Sequence, residues 1–302
     1  MQDVLEAPIK EKEENKILFP EITENFVDIK GTFYKKNPKV AKRIPGFIYR
    51  YLQKITHEKY VNEVLYKYRD YEGQDFMHKV LIEEFNISIK VNNIEYLKFA
   101  ERPIVAANHP LGGLDGTALM YVCGKVNPKV LFPVNDVLMG VPQMRSMLVP
   151  INKIRKDAKK DNINNVSKAF ASDAIIPFFP SGMVSRKKWF KGIKDLRWKR
   201  SFLIGARENH RDVVLTHING RNSNFFYNLA NFRKFFRVKM NLEMVYLINE
   251  MVKQKNKTIE ITFSKPFKTS ELNPEKDDTI YAEEMREFIY ELGKNKDAVL
   301  KK

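Results

Sequence analysis

Only one cysteine, Cys123, occurs in the 302 residues. An internal disulfide and a cysteine-based zinc site are therefore excluded, and a reducing compartment is expected. No uninterrupted apolar run approaches the roughly 20 residues that span a bilayer. The opening stretch, MQDVLEAPIKEKEENK, is acidic and polar, unlike a secretory signal peptide. There is no Walker-type phosphate loop and no G-x-G-x-x-G run, so nucleotide hydrolysis and dinucleotide redox chemistry find no support. No His, Cys, Asp and Glu cluster has metal-ligand spacing, and no metal or cofactor is expected. Internal repeats and low-complexity tracts are absent as well.

Acidic residues become scarce once the N-terminus is passed. Residues 1–30 hold 8 acidic and 4 basic side chains, and the other 272 hold 29 acidic and 49 basic, a charge of +20. A body this basic expects an anionic partner: nucleic acid, an anionic membrane surface, or a phosphorylated or acidic substrate. Solubility alone is the plain alternative. At 43% apolar, the chain can bury a sizeable core.

Residues 1–35 read as a flexible leader and 36–85 as an N-terminal helical segment. In the latter Val40, Ile44, Phe47, Ile48, Tyr51 and Ile55 recur at helical spacing, with Pro45 in a first turn near Ile44. From Asn86 the texture alternates. Strands are predicted at 87–91, 103–108, 129–134, 148–151, 174–179, 212–218 and 258–263. Helices are predicted at 114–123, 157–172, 195–208, 223–236, 241–253 and 279–299. The alternation predicts an α/β fold over 86–302, a mixed, mostly parallel sheet flanked by helices.

The sharpest feature is Asn108-His109-Pro110-Leu111-Gly112-Gly113-Leu114-Asp115, between an apolar strand and an apolar helix. A histidine there sits at the carboxyl edge of the sheet, where open α/β sheets place ligands. Asp115 falls near the helix start, and the two glycines permit a tight turn with backbone N–H groups close to a ligand. A His109–Asp115 pair would fix the imidazole tautomer and support its charged form. The plain alternative is a capping aspartate beside a structural histidine.

The second feature is Phe178-Phe179-Pro180-Ser181-Gly182-Met183-Val184-Ser185-Arg186-Lys187-Lys188, again after an apolar strand. Gly182 is expected to expose backbone donors, and Ser185, Arg186, Lys187 and Lys188 to offer hydroxyl and cationic groups to an anion. From Met183 to Arg200 there are eight basic residues and one acid, which also fits a solvated basic loop. The third feature is the stretch 223–237, which puts Phe225, Leu229, Phe232 and Phe236 on one helical face beside Arg233, Lys234 and Arg237. Such a helix suits a bilayer interface or an acyl-chain groove, and ordinary core packing equally. Trp189, Phe190 and Trp198 lie among lysines in the same way. No recognised nucleic-acid motif accompanies these aromatics.

Taken together, the Asn-His-Pro…Asp and Phe-Pro-x-Gly-x-x-Ser-Arg motifs, about 70 residues apart, resemble those of the glycerolipid (lysophosphatidic-acid type) acyltransferase superfamily. The Gly-Gly-Leu-Asp-Gly run is most similar to its hemolysin-type or ornithine-lipid branch. The resemblance covers roughly residues 80–265. Five residues separate His109 from Asp115 where the family usually has four, and Ser181 stands where many members have Glu. The family's middle motif maps onto Leu148–Arg155, with Lys153 and Arg155 both open as its basic residue. A fourth block matches Asp212–Ile218 without the usual proline.

The resemblance implies an O-acyltransferase that moves a fatty acyl group from an acyl-carrier-protein or coenzyme A thioester to the hydroxyl of a lyso-lipid. His109 would be the general base and Asp115 its orienting partner. Gly112, Gly113, Ser181, Gly182, Ser185, Arg186 and Lys187 would bind substrate, the 181–188 loop meeting the acceptor headgroup. By the same resemblance the acceptor would be a lysophospholipid or an N-acyl amino acid lipid. The enzyme would lie on an anionic membrane surface, at the inner face of the cell membrane, with no nucleic-acid partner. A lipid-binding protein with weak or no catalysis on the same scaffold is the alternative reading.

Overall fold

Strands with apolar residues at successive positions must be covered on both faces, and two central strands here carry such runs. A computed structural model describes residues 26–135, 140–151, 158–188, 192–238 and 240–301. Most of the leader (1–25) and the positions Lys153, Arg155, Trp189 and Phe190 lie outside the described residues. The strands are β1 (Ser88–Asn92), β2 (Ile104–Ala107), β3 (Phe132–Asn135), β4 (Leu148–Ile151), β5 (Ile176–Phe178), β6 (Arg186–Lys188), β7 (Gly192–Lys194), β8 (Asp212–Asn219), β9 (Thr258–Phe263) and β10 (Phe267–Lys268).

The main sheet runs β1-β9-β8-β2-β5. β2 is parallel to both neighbours and β1 is parallel to β9, while β9 and the short β10 run antiparallel to β8. β3 and β4 form a parallel pair, and a parallel bridge from Val130 to Ile175 carries them alongside β5. The expected mixed, mostly parallel α/β sheet is what forms.

The two-residue period of a strand sorts the core. Val105, Ala107, Val214 and Ile218 face one layer, with the helix Gly113–Val126 and the N-terminal helices packed on it. Ile104, Ala106, Val213 and Leu215 face the other, under the helices Ala158–Ala171, Ser201–Glu208 and Asp278–Leu292. The N-terminal helices Gly46–Ile55, Glu58–Lys67 and Gly73–His78 start after Pro45, and Val64, Leu65, Phe76, Met77 and Leu81 join the first layer. A helix also spans Ile29–Lys36, across the end of the stretch 1–35 read as leader, capped by the Asp28 carboxylate.

Three local readings change. The helix expected over 195–208 forms only at Ser201–Glu208, because Asp195 and Trp198 turn inward and are buried at 0% and 1% exposure. The basic loop after Ser185 is instead the hairpin β6–β7. The C-terminal helix ends at Leu292, where Gly293 lies against the His217 ring so closely that a Cβ would stand 2.5 Å from it.

Candidate active site

β2, β5 and β8 are mutually aligned, so their carboxyl ends meet at one edge of the sheet. Asn108 extends the pairing beyond the strand: its side chain donates to the Ile218 carbonyl (2.8 Å) and accepts from the Ile218 N–H (2.7 Å). The next residue, His109, is thereby held at that edge.

The His109 Nδ1–H donates to Asp115 Oδ1 at 2.9 Å, and Asp115 Oδ2 accepts the Leu111 N–H at 2.7 Å. An ionised carboxylate only accepts, so the Nδ1 proton is fixed and Nε2 is left as the basic nitrogen. The five-residue gap closes because Gly112, at φ +83°, turns the chain into the helix that starts at Gly113, which carries Asp115 in its first turn. A Cβ on Gly112 would also meet Leu247 at 3.2 Å, whereas at Gly113 no described residue lies within 4 Å. Gly113 thus opens onto free space beside the imidazole's loop.

Phe179, just past β5, stacks on the His109 ring at 4.1 Å and 18°, and Phe132 meets Phe179 edge-on at 5.5 Å. The ring is thus held by a carboxylate at one edge and an aromatic face. Burial lowers the imidazole's proton affinity, but the Asp115 charge and hydrogen bond, with Asp195 behind them, outweigh it and raise the pKa above the ordinary value.

Asp195 was missed from the sequence. Its Oδ1 accepts the His109 backbone N–H (3.1 Å) and the Ser185 hydroxyl (2.6 Å), and its Oδ2 accepts the Trp198 indole N–H (2.9 Å). Ser185 N–H in turn donates to the His109 carbonyl at 2.7 Å. One buried carboxylate therefore ties the first motif to the second. The signal was present as the lone acid among eight bases between Met183 and Arg200.

The second motif is otherwise more inward than expected. Ser185 is 1% exposed with its hydroxyl spent on Asp195, so it braces the loop instead of facing an anion. Ser181 is buried and donates to the Met183 carbonyl (2.7 Å). The Gly182 N–H, expected as a free donor, closes a turn onto the Phe179 carbonyl at 3.0 Å. Lys187 is exposed.

Arg186 donates through Nη1 to the Val184 carbonyl and through Nη2 to Glu243 Oε1, both at 3.0 Å, and lies over the Phe226 ring. Arg233 donates to the same carboxylate, Nε to Oε2 at 2.8 Å and Nη2 to Oε1 at 3.2 Å. Glu243, also unforeseen, is fully buried between them.

The aromatic helix forms at Asn224–Phe235, capped by Ser223. Phe226 and Tyr227 are buried, but Phe225, Phe232, Phe235, Phe236 and Met240 stand 51–81% exposed, with Lys234 and Arg237 exposed among them. Core packing accounts for one face of this helix only. Cys123 is buried in the core, which pushes its thiol pKa up. His57 bonds Asn249 and His78 bonds Tyr121, each at 2.9 Å. Among the described residues no group of three His, Cys, Asp or Glu side chains could hold a metal, and no helix is long and apolar enough to cross a membrane.

A family model described as acyltransferase matches residues 32–299. The lyso-glycine lipid O-acyltransferase of Bacteroides thetaiotaomicron is 40% identical over 268 residues, covering 88% of this chain and 97% of that protein. The protein of the same name from Phocaeicola vulgatus is 37% identical over 267 residues, covering 88% and 95%. The crystal structure of a 1-acyl-sn-glycerophosphate acyltransferase from Thermotoga maritima aligns with a TM-score of 0.45 at 17% identity, covering 90% of this chain and 93% of that one.

Proposed function

The chain belongs to the acyltransferase family, and from that premise we propose that it transfers a fatty acyl group from an acyl thioester to the hydroxyl of an N-(hydroxyacyl)glycine, with His109 as general base. It is an acyltransferase, and a lyso-lipid hydroxyl is the acceptor class. The glycine headgroup rests on the names of two relatives that match along 88% of the chain. The observation that carries the chemistry is the His109–Asp115 bond at the open edge of the sheet.

His109 Nε2 takes the hydroxyl proton as the oxygen attacks the thioester carbonyl. The tetrahedral intermediate then collapses, the C–S bond breaks, and the departing thiolate takes the proton back from Nε2. The products are an ester and a free thiol. Asp115 stabilises the imidazolium while the proton is held. Backbone N–H groups at the start of the helix Gly113–Val126, where Gly112 supplies no side-chain cap, would be the donors that meet the oxyanion.

Acyl-carrier protein or coenzyme A supplies the thioester, and either is anionic enough to suit a body of this charge. The exposed Phe232, Phe235 and Phe236, ringed by Lys234 and Arg237, rest in the interface of an anionic membrane, at the inner face of the cell membrane. The test is direct. Purified protein is incubated with an acyl thioester and either an N-(hydroxyacyl)glycine or a lysophospholipid, and products are read by mass spectrometry. The reading expects the O-acylated glycine lipid; acylation of the lysophospholipid alone would overturn the acceptor, and no transfer to either would overturn the activity.

A further inference from the structure

Two guanidinium groups share one buried carboxylate beside the site, and that arrangement leaves a fixed charge of +1. Arg186 follows Ser185, whose N–H is bonded to the His109 carbonyl, so the cluster is attached to the same loop as the base. The Arg186 and Arg233 side chains are 11% and 16% exposed, while Glu243 is at 0%. The carboxylate is closed off from solvent, and the part of the cluster that reaches the surface is guanidinium. Its two oxygens are occupied by both of them. Among the described residues, the bonds of each guanidinium to Glu243, Val184, Met244 and Val238 leave N–H donors over. The remaining donors are what a second anion would meet. Burial and the second arginine both work against the charge on Arg186, and Glu243 works for it.

Charge unmatched in a poorly solvated place is costly, so such a cluster selects its ligand by charge as well as shape. The headgroup of an N-acylglycine is one carboxylate, which brings the cluster to neutrality. A phosphate monoester carries about −1.5 to −2 and would leave an excess of negative charge beside Glu243. We propose that Arg186, Arg233 and Glu243 form a charge-counting headgroup site, in which Glu243 sets the preference for a monoanionic carboxylate over a phosphate. This rests on the acceptor reading above but concerns charge, not the transfer step. Arg233 and Glu243 come from a helix and a short turn that neither sequence motif includes.

The experiment measures binding of an N-(hydroxyacyl)glycine, its methyl ester and a lysophosphatidate of equal chain length to the full chain, by titration calorimetry below micelle-forming concentrations. Turnover of the same lipids is followed in parallel. Wild type should bind the carboxylate at least about tenfold more tightly than the ester. Glu243→Gln raises the site to +2 and should move the phosphate-to-carboxylate affinity ratio toward phosphate by about tenfold or more. Arg233→Gln lowers it to zero and should weaken the carboxylate at least tenfold, leave the ester nearly unchanged, and be partly rescued by Arg233→Lys.

If Glu243→Gln fails to fold, the Arg233 pair decides. An affinity ratio that does not move in folded Glu243→Gln, or carboxylate and ester weakened equally in Arg233→Gln, would overturn the charge-counting site. Because binding is read apart from turnover, an inactive wild type that still binds in this order would overturn the transfer reading and leave charge selection standing.

Discussion

Replacing Asp195 separates bracing from catalysis. Its carboxylate receives three buried donors: the His109 N–H, the Ser185 hydroxyl and the Trp198 indole N–H. Asp195→Ala strands all three, at roughly 1–3 kcal/mol each, a total close to a typical domain's whole stability of about 5–15 kcal/mol. That variant is expected not to accumulate as folded protein.

Asp195→Asn is the informative change. With its oxygen in the Oδ1 place, the amide faces the Trp198 N–H. Turned over, it faces the His109 N–H while donating to Ser185, whose hydroxyl can also accept. Either way one N–H loses its acceptor, a cost of about 1–3 kcal/mol. For a chain this long that is a fall in melting temperature of a few degrees up to about 10 °C. The substitution also removes a negative charge that helps hold the His109 pKa up. As the proposed base, His109 must be neutral to act, so the acidic limb of the kcat/KM profile should move to lower pH in Asp195→Asn. Asp115→Asn should move it further in the same direction. Ser185→Ala removes one bond but no charge, so it should lower the melting temperature and leave the limb in place. Calorimetry with pH–rate profiles on the three variants checks this. A limb that stays put or rises in Asp195→Asn, at any change in stability, refutes the electrostatic part of the argument.

Other outcomes follow from single contacts. Phe235→Ser combined with Phe236→Ser should reduce sedimentation with anionic vesicles without affecting the melting temperature, since both rings are exposed; wild-type binding should weaken as salt shortens the Debye length below about 10 Å. Gly112→Ala should lose stability and activity because it forces a Cβ into φ +83° against Leu247, whereas Gly113→Ala should fold normally; thermal melts distinguish them. Burial lowers the His217 pKa to about 4, so the unfolded chain binds a proton that the folded chain refuses between there and about 6.5. Stability therefore rises with pH through that window, by about 3 kcal/mol, and His217→Gln should flatten that slope in urea titrations.

The sheet was legible because β2 and β8 carry short runs of successive apolar, β-branched-rich residues, the mark of a strand covered on both faces. The His109–Asp115 pair was legible because its residues are near in sequence and sit at a strand-to-helix junction. What escaped depends on pairings across long separations. Leu196, Trp198, Phe202 and Leu203 mimic helical spacing, but the indole's buried bond to Asp195 holds residues 195–200 out of the helix. Arg186–Lys188 is too charged to read as a strand, and pairing with β7 makes it one. Ser185 looked like a ligand hydroxyl because nothing near it in sequence showed that Asp195 would take its proton. Glu243 is 57 residues from Arg186, so no local pattern reveals that the arginine's charge is already shared.

If His109 Nε2 is the base, removing the imidazole must slow the transfer step itself. The measurement is the single-turnover rate of acyl transfer from thioester to lyso-lipid by His109→Ala, with circular dichroism and a thermal melt showing the variant folded. The rate should fall by about 10²–10⁴, the usual contribution of a general base. A folded His109→Ala protein that transfers acyl groups at near wild-type rate would contradict the account.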